Sequence, residues 1–129
     1  KHSCVIANGD DIRTFSQSGI RDLYHLWKEE PEFLKGAIVA DKIIGKAAAA
    51  LLILGGVKEI YSDVIGLSAL SFLSEVEVKT TFSQAVPYIK NRDNTGMCPL
   101  ERMCMEKRSP LAIVEIIEEF AQGILSKAS

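Results

Sequence analysis

The chain has 129 residues, of which 47% are hydrophobic and 25% are charged, and its formal net charge is −2. This length predicts a single domain over residues 1–129, large enough to bury a core without disulfides or metals. Because phosphate binding requires clustered lysine and arginine, the balanced charge argues against nucleic acid as a partner. The longest apolar run, Ala47–Leu54, is too short to cross a bilayer, so no membrane association is expected.

The cysteines indicate a reducing compartment. Cys4, Cys98 and Cys104 are few, odd in number and without the spacing of a disulfide framework or of a Cys-x-x-Cys pair. The polar stretch Lys1–Asp10 is unlike a signal peptide. We therefore expect a cytoplasmic protein.

Turn signals and hydrophobic periodicity divide the chain into strands and helices. Asn8-Gly9 marks a hairpin between the first two strands, because this dipeptide tolerates the positive φ angles of tight turns. Pro31 is expected to end the first helix. The predicted elements are, in chain order, strands Ser3–Ala7 and Ile12–Ser16, helix Gly19–Glu30, strand Lys35–Ala40, helix Lys42–Leu54, strand Glu59–Asp63, helix Gly66–Ser74, strand Val76–Phe82, a loop over Pro87–Met97, a short helix Pro99–Lys107 and a last helix opened by Ser109-Pro110.

The order of these elements predicts the fold class. Strands that alternate with helices indicate a largely parallel sheet covered on both faces, and the leading hairpin makes that sheet mixed. The sequence therefore predicts an α/β fold, namely a three-layer α/β/α sandwich around a five-stranded mixed sheet. The long loop before Cys98 is typical of a functional or mobile connection.

Two segments, Gly45–Leu52 and Gly55–Tyr61, are similar to the core of deaminase-like proteins. In zinc deaminases a His/Cys-x-Glu element and a Pro-Cys-x-x-Cys element open two helices and hold a metal-activated water. The corresponding openings here, Asp41–Lys46 and Asp63–Ser68, contain neither His nor Cys. Since catalytic zinc usually takes three such ligands, no zinc site is expected.

With these departures the chain resembles an uncharacterised bacterial and archaeal family that has a cytidine-deaminase-like fold and lacks the zinc motif. The resemblance covers nearly the whole chain and rests on Ala40–Ala47, Asn91-Arg92 and Cys98–Glu101. Leu100 stands where the usual members have Met. The resemblance implies a cytidine-deaminase-like fold without a metal or other cofactor, and it carries no known reaction.

Three residues are candidates for ligand binding. Asp41 is predicted between a strand and a helix, where ligands bind in open α/β sheets. Lys46 follows Gly45, which permits close approach of the backbone. Arg92 has a planar guanidinium that suits bidentate binding of carboxylate or phosphate. We expect Asp41, Lys46 and Arg92 to converge on one pocket. The alternatives are a helix cap for Asp41 and a loop-fixing ion pair for Arg92.

A second pair, Cys98 and Glu101, is a candidate for catalysis. Cys98 is predicted at the N-cap of a helix that has Pro99 at its first position, and Glu101 then stands where a capping-box carboxylate reaches the Cys98 backbone N–H. The helix N-terminus favours a thiolate, whereas Glu101 opposes it. The alternative is that both residues only shape a turn.

Three functions remain open from the sequence. The first is a zinc-free deaminase-like domain that binds a small polar ligand, with a nucleotide-derived ligand suggested by fold analogy alone. The second is a thiol-dependent enzyme with Cys98 as nucleophile. The third is a structural or regulatory module without chemistry. The expected partner is a small molecule, and the sequence leaves a homo-oligomer open.

Overall fold

A computed structural model describes residues 4–16, 20–90 and 93–128, with side chains as far as residue 120. Its strands are β1 (Cys4–Asn8), β2 (Asp11–Phe15), β3 (Ile38–Ile44), β4 (Glu59–Gly66) and β5 (Lys79–Val86). Its helices are α1 (Arg21–Glu29), α2 (Pro31–Leu34), α3 (Lys46–Gly55), α4 (Leu67–Ser74), α5 (Pro99–Cys104) and α6 (Pro110–Ala128).

The strands form one mixed sheet in the order β2-β1-β3-β4-β5. The β1 strand runs antiparallel to both of its neighbours, and β3, β4 and β5 run parallel to one another. The β1–β2 hairpin turns at Gly9, whose φ of 62° lies in the left-handed region that glycine adopts without strain. These features confirm the predicted α/β fold with a five-stranded mixed sheet.

Several element boundaries differ from the prediction. The β3 strand runs through to Ile44, so Asp41 lies inside a strand and the N-cap of α3 is Gly45. The reason is that β3 pairs with β1 on one side and β4 on the other, and this pairing outweighs the local capping signal of Asp41. Pro31 opens the short helix α2 as well as following α1. The α5 helix ends at Cys104.

The core is built around α3. Its residues Ala49–Leu52 are fully buried, because α1, α4 and α6 all contact this helix. The predicted apolar stripe of α6 supplies Ile113 and Ile117, which are likewise fully buried. Gly55 lets Leu34 approach closely, since a Cβ at Gly55 would lie 2.9 Å from the Leu34 Cβ. Other elements surround α3, and this accounts for its apolar residues on nearly all sides.

The helices lie on one side of the sheet, which corrects the predicted three-layer sandwich. On the face opposite α3 a registered row runs through Thr14, Val5, Ala40, Tyr61 and Thr81, and all of these except the half-buried Val5 are exposed. The connections β2 to β3, β3 to β4 and β4 to β5 all advance in the same direction across the sheet. Because such connections are right-handed, the helices within them fall on one face.

None of the helices formed by the described residues has the length and apolar character needed to cross a bilayer.

Candidate functional site

A bend crosses the middle of the three parallel strands. Val39 and Ile60 are fully buried in the hydrophobic core, and so are Ile44 and Ile65, which lie five positions further along the same strands. Side chains of a regular strand alternate between faces, so an odd step of five cannot keep both positions on one face. The alternation therefore slips by one between them. The strand pairing is interrupted at the same place, because its register omits the row formed by Lys42, Asp63 and Ser83.

Polar side chains stabilise this bend by bonding to the backbone. The Asp41 carboxylate accepts hydrogen bonds from the backbone N–H groups of Lys42 and Ile43. One strand over, the Ser62 hydroxyl donates to the carbonyl of Val64 at 2.7 Å. Asp and Ser compete for backbone groups in this way when a ladder is interrupted. We call the segments Asp41–Ile43 and Ser62–Val64, together with the neighbouring part of β5, the bend.

Asp41 has an unusual electrostatic environment. Cys4 lies opposite it in the β1–β3 register, and the Cys4 thiol donates a hydrogen bond to the Asp41 carboxylate. Burial raises the pKa of Asp41 to about 6, against the lowering effect of its hydrogen bonds from Ile43, Lys42 and Cys4. Burial, reinforced by the negative charge of Asp41, also raises the pKa of the Cys4 thiol. Asp41 can thus exchange a proton near neutral pH, whereas Cys4 stays protonated.

A groove of about 380 Å³ lies along the bend, and we call it the bend groove. Its lining residues carry carboxyl, ammonium and hydroxyl groups, and two of them, Tyr61 and Phe82, are aromatic and are 44% and 39% exposed. The lining residues are Cys4, Val5, Ala40, Asp41, Lys42, Tyr61, Ser62, Asp63, Thr81, Phe82 and Ser83. Such a wall can hydrogen-bond a polar molecule and stack against a planar one.

Lys46 and Glu101 form a separate site at the carboxyl ends of β3 and β4. Glu101 is buried, and its Oε1 accepts the backbone N–H of Lys46 at 2.8 Å while its Oε2 accepts that of Ile89 at 3.2 Å. Gly45 and Gly66 make room for this carboxylate, since a Cβ at Gly45 would lie 2.9 Å from Oε2. Glu101 therefore caps the N-terminus of α3 from 55 residues away in sequence. We call these five residues the cap cluster.

The ammonium group of Lys46 is also used within the protein. Its Nζ donates to the carbonyl of Met105 at 3.0 Å and lies 5.0 Å from the centre of the Phe72 ring. Lys46 is buried and does not line the bend groove. The structure therefore places Asp41 and Lys46 in different environments, and the expected shared pocket is not formed by these two residues. Arg92, its expected third member, lies outside the described residues.

Cys98 is the N-cap of α5, as predicted, but the predicted capping box is wrong. The backbone N–H of Cys98 donates to the carbonyl of Ile89 at 2.9 Å, and both Glu101 oxygens bind other groups. Cys98 is half-buried, whereas Cys104 is fully buried. Burial and then the charge of Glu101 raise the pKa of Cys104 to about 11, and Lys46 opposes this rise. Cys98 and Glu101 thus lie on one short helix without a shared hydrogen bond.

The remaining polar members of the bend groove are not predicted from the sequence. Ser62, Asp63 and Ser83 are polar residues in the middle of β4 and β5. Polar residues at central strand positions require hydrogen-bond partners, so their presence in these strands is the sequence feature that could have indicated a site. Their convergence with Asp41 depends on the registers of two strand pairs, which single-strand patterns do not specify.

The fold and this groove define a class of protein, namely a mixed-sheet α/β domain with a polar groove across its parallel strands. The chain belongs to the TM1506 family, described as a domain of unknown function (DUF1893), whose model matches residues 1–121. Among solved structures it is similar to the DUF1893 family protein TM1506 from Thermotoga maritima. The two share 29% sequence identity with a TM-score of 0.85, over 92% of this chain and 80% of the other. No curated protein matches the chain.

Proposed function

We propose that this protein is a zinc-free, deaminase-like domain that binds a small polar ligand in the bend groove. The observation that carries the proposal is the Asp41 carboxyl, which is held inside the groove with a pKa raised to about 6. Perturbed carboxyl groups in a cleft are candidates for function, since burying one costs stability. Irregular strands are common next to active sites, so the bend beside this groove also supports a function there.

The deaminase-like part of the proposal rests on the sequence resemblance. It is supported by the order of the elements, in which a leading hairpin is followed by three parallel strands joined by helices. The α3 and α4 helices open at Gly45-Lys46 and Gly66-Leu67, where the zinc ligands of a deaminase would be sought. Glu101 of the cap cluster occupies the first of these openings, so we place the ligand in the bend groove instead.

The charges of the groove select among polar ligands. Two carboxyl groups, Asp41 and Asp63, oppose one ammonium group, that of Lys42. A phosphate placed here would be repelled by the carboxylates. A neutral or cationic molecule rich in donors fits better, and the exposed ring of Tyr61 offers a face to a planar ring. If the ligand is nucleotide-derived, as fold analogy suggests, we infer that the base and sugar are bound and the phosphate is absent.

Calorimetric titration tests this function. We expect cytidine or adenosine to bind with a measurable heat and their 5′-monophosphates to bind more weakly. Asp41→Asn should reduce nucleoside affinity about ten-fold, because an amide replaces a charged acceptor. Asp10→Asn is a matched control with the same charge change in the exposed β1–β2 turn, and it should leave affinity unchanged. Tighter binding of the monophosphates, or equal loss in both variants, would contradict the proposal.

A further inference from the structure

The two edges of the sheet differ in their protection. The β2 edge is five residues long and carries Asp11 and Arg13, which form an ion pair at 3.1 Å. The β5 edge is eight residues long, contains no proline or glycine, and has a single charge at its first residue, Lys79. Six of its eight residues are exposed. Among the described residues β5 pairs with β4 alone, so its outer row of backbone N–H and C=O groups has no strand partner.

Exposed edges of this kind are templates for pairing with another chain, and proteins normally protect them with charges, prolines or short strands. The bend does not protect β5, because it is shared in register with β3 and β4 and leaves β5 parallel to its neighbour. The β2 edge shows that the usual protection is present elsewhere in this sheet. An unprotected β5 is therefore expected to have a partner.

Four large apolar side chains on β5, or on the segments of the chain next to it, are exposed. Leu67 at the start of α4 is 51% exposed, and Val76, Phe82 and Tyr88 are between 37% and 39% exposed. Phe82 belongs to β5 and Tyr88 follows it, whereas Leu67 and Val76 lie between β4 and β5 in the chain. The α4 helix that Leu67 opens contacts β5. Apolar residues around a strand edge supply the side-chain burial that backbone pairing alone lacks.

We propose that β5 is a homodimer interface at which two copies of this chain pair antiparallel through their β5 strands. The register places Phe82 opposite Ser83 of the second copy, and Thr81 opposite Gln84 of the second copy. This register pairs all eight residues of each strand, so the edge is complementary to itself about a two-fold axis. It also separates the backbones of the two Lys79 residues by about 24 Å along the strands, seven residues at roughly 3.4 Å each.

Pairing in this register joins two five-stranded sheets into one continuous sheet. The row that the ladder of the bend omits, Lys42–Asp63–Ser83, ends at Ser83. In the proposed register Phe82 of the second copy lies directly beside Ser83. The open end of each bend groove is thus closed by the other copy. The interface itself stands on the β5 edge and the apolar residues around it, and does not rest on ligand binding at the groove.

Charge substitutions across the dyad test the interface and its register together. Sedimentation velocity over a wide concentration range should show the full chain as a reversible dimer. Thr81→Lys with Gln84→Lys places like charges opposite each other twice, and should raise the dimer dissociation constant about ten-fold or more. Thr81→Lys with Gln84→Glu places opposite charges there and should restore the dimer. Ile12→Lys with Thr14→Lys adds the same charge to the exposed β2 edge and serves as the matched control.

Each outcome decides the proposal. A wild-type chain that stays monomeric at all concentrations would overturn it, and would leave β5 to an extended peptide of another protein. A dimer that survives the double lysine change, or one that the β2 control also dissociates, would place the interface elsewhere. Failure of the Lys–Glu variant to restore the dimer would refute the register.

Hydrogen exchange of the wild-type chain covers the case in which circular dichroism shows that the double lysine variant does not fold. Protection of the β5 backbone amides that rises with protein concentration is the expected result, because pairing with a second copy occupies the outer row of N–H groups. Protection of β5 that is independent of concentration would overturn the interface.

Discussion

Removing the Glu101 carboxylate is expected to destabilise the whole domain. In Glu101→Ala the backbone N–H groups of Lys46 and Ile89 lose their acceptor inside a buried site. Each buried donor left without a partner costs about 1–3 kcal/mol, so the two together cost about 2–6 kcal/mol. The loss of the α3 cap is included in this figure, since Lys46 N–H is the group that the cap satisfies. A loss of this size is a large part of the stability of a small domain.

Urea unfolding followed by circular dichroism measures this loss as a shift of the midpoint at constant slope. Glu101→Gln should fall between wild type and Glu101→Ala, because an amide keeps one acceptor oxygen but cannot accept the second N–H. Glu106→Ala is the matched control, since Glu106 is exposed just after α5, and it should change stability by less than about 0.5 kcal/mol. A Glu101→Ala protein within about 1 kcal/mol of wild type would refute the reasoning.

Four other features of the protein can be tested in the same way. Gly45→Ala should cost about 1–3 kcal/mol in urea unfolding because its Cβ would lie 2.9 Å from the Glu101 Oε2, whereas Gly96→Ala, with no atom within 4 Å, should be nearly neutral. The raised pKa of Asp41 means that the folded state holds a proton more tightly than the unfolded state. The free energy of unfolding should therefore fall by up to about 3 kcal/mol as pH rises from about 4 to 6. Asp41→Asn should abolish this dependence on pH, and a wild-type free energy of unfolding that rises over the same range would contradict it. Iodoacetamide should modify Cys98 faster than Cys104, whose thiol is buried with a pKa raised to about 11, and equal rates by mass spectrometry would remove Cys98 as a candidate nucleophile. Elemental analysis of protein purified without a metal-affinity tag should find no stoichiometric zinc, and one tightly bound equivalent would overturn the zinc-free assignment.

Much of the fold was predictable because its signals are local. The Asn8-Gly9 hairpin, the alternation of strands and helices and the apolar stripe of α6 all depend on neighbours within one element. The number of helical layers was not predictable in this way. It depends on the direction in which successive connections cross the sheet, and hence on the strand order, which no single segment encodes.

The candidate site was predictable in part. Asp41 is conspicuous as a polar residue after a buried stretch, although its local cap signal predicts a helix start where the strand continues. The predicted role of Glu101 is wrong because its true partners, Lys46 and Ile89, are 55 and 12 residues away, while the capping-box pattern considers only the nearest turn. The contact of Lys46 with the Met105 carbonyl spans 59 residues, so no pattern around Gly45-Lys46 indicates it.

The most direct test of the central claim is a map of backbone amide chemical shifts during titration of the ¹⁵N-labelled protein with cytidine and adenosine. The largest changes are expected at Asp41–Ile43, Ser62–Val64 and Phe82–Gln84, and they should weaken in Asp41→Asn. Changes confined to Gly45, Lys46 and Glu101 would instead place the ligand at the cap cluster. That result would contradict the assignment of the bend groove as the binding site.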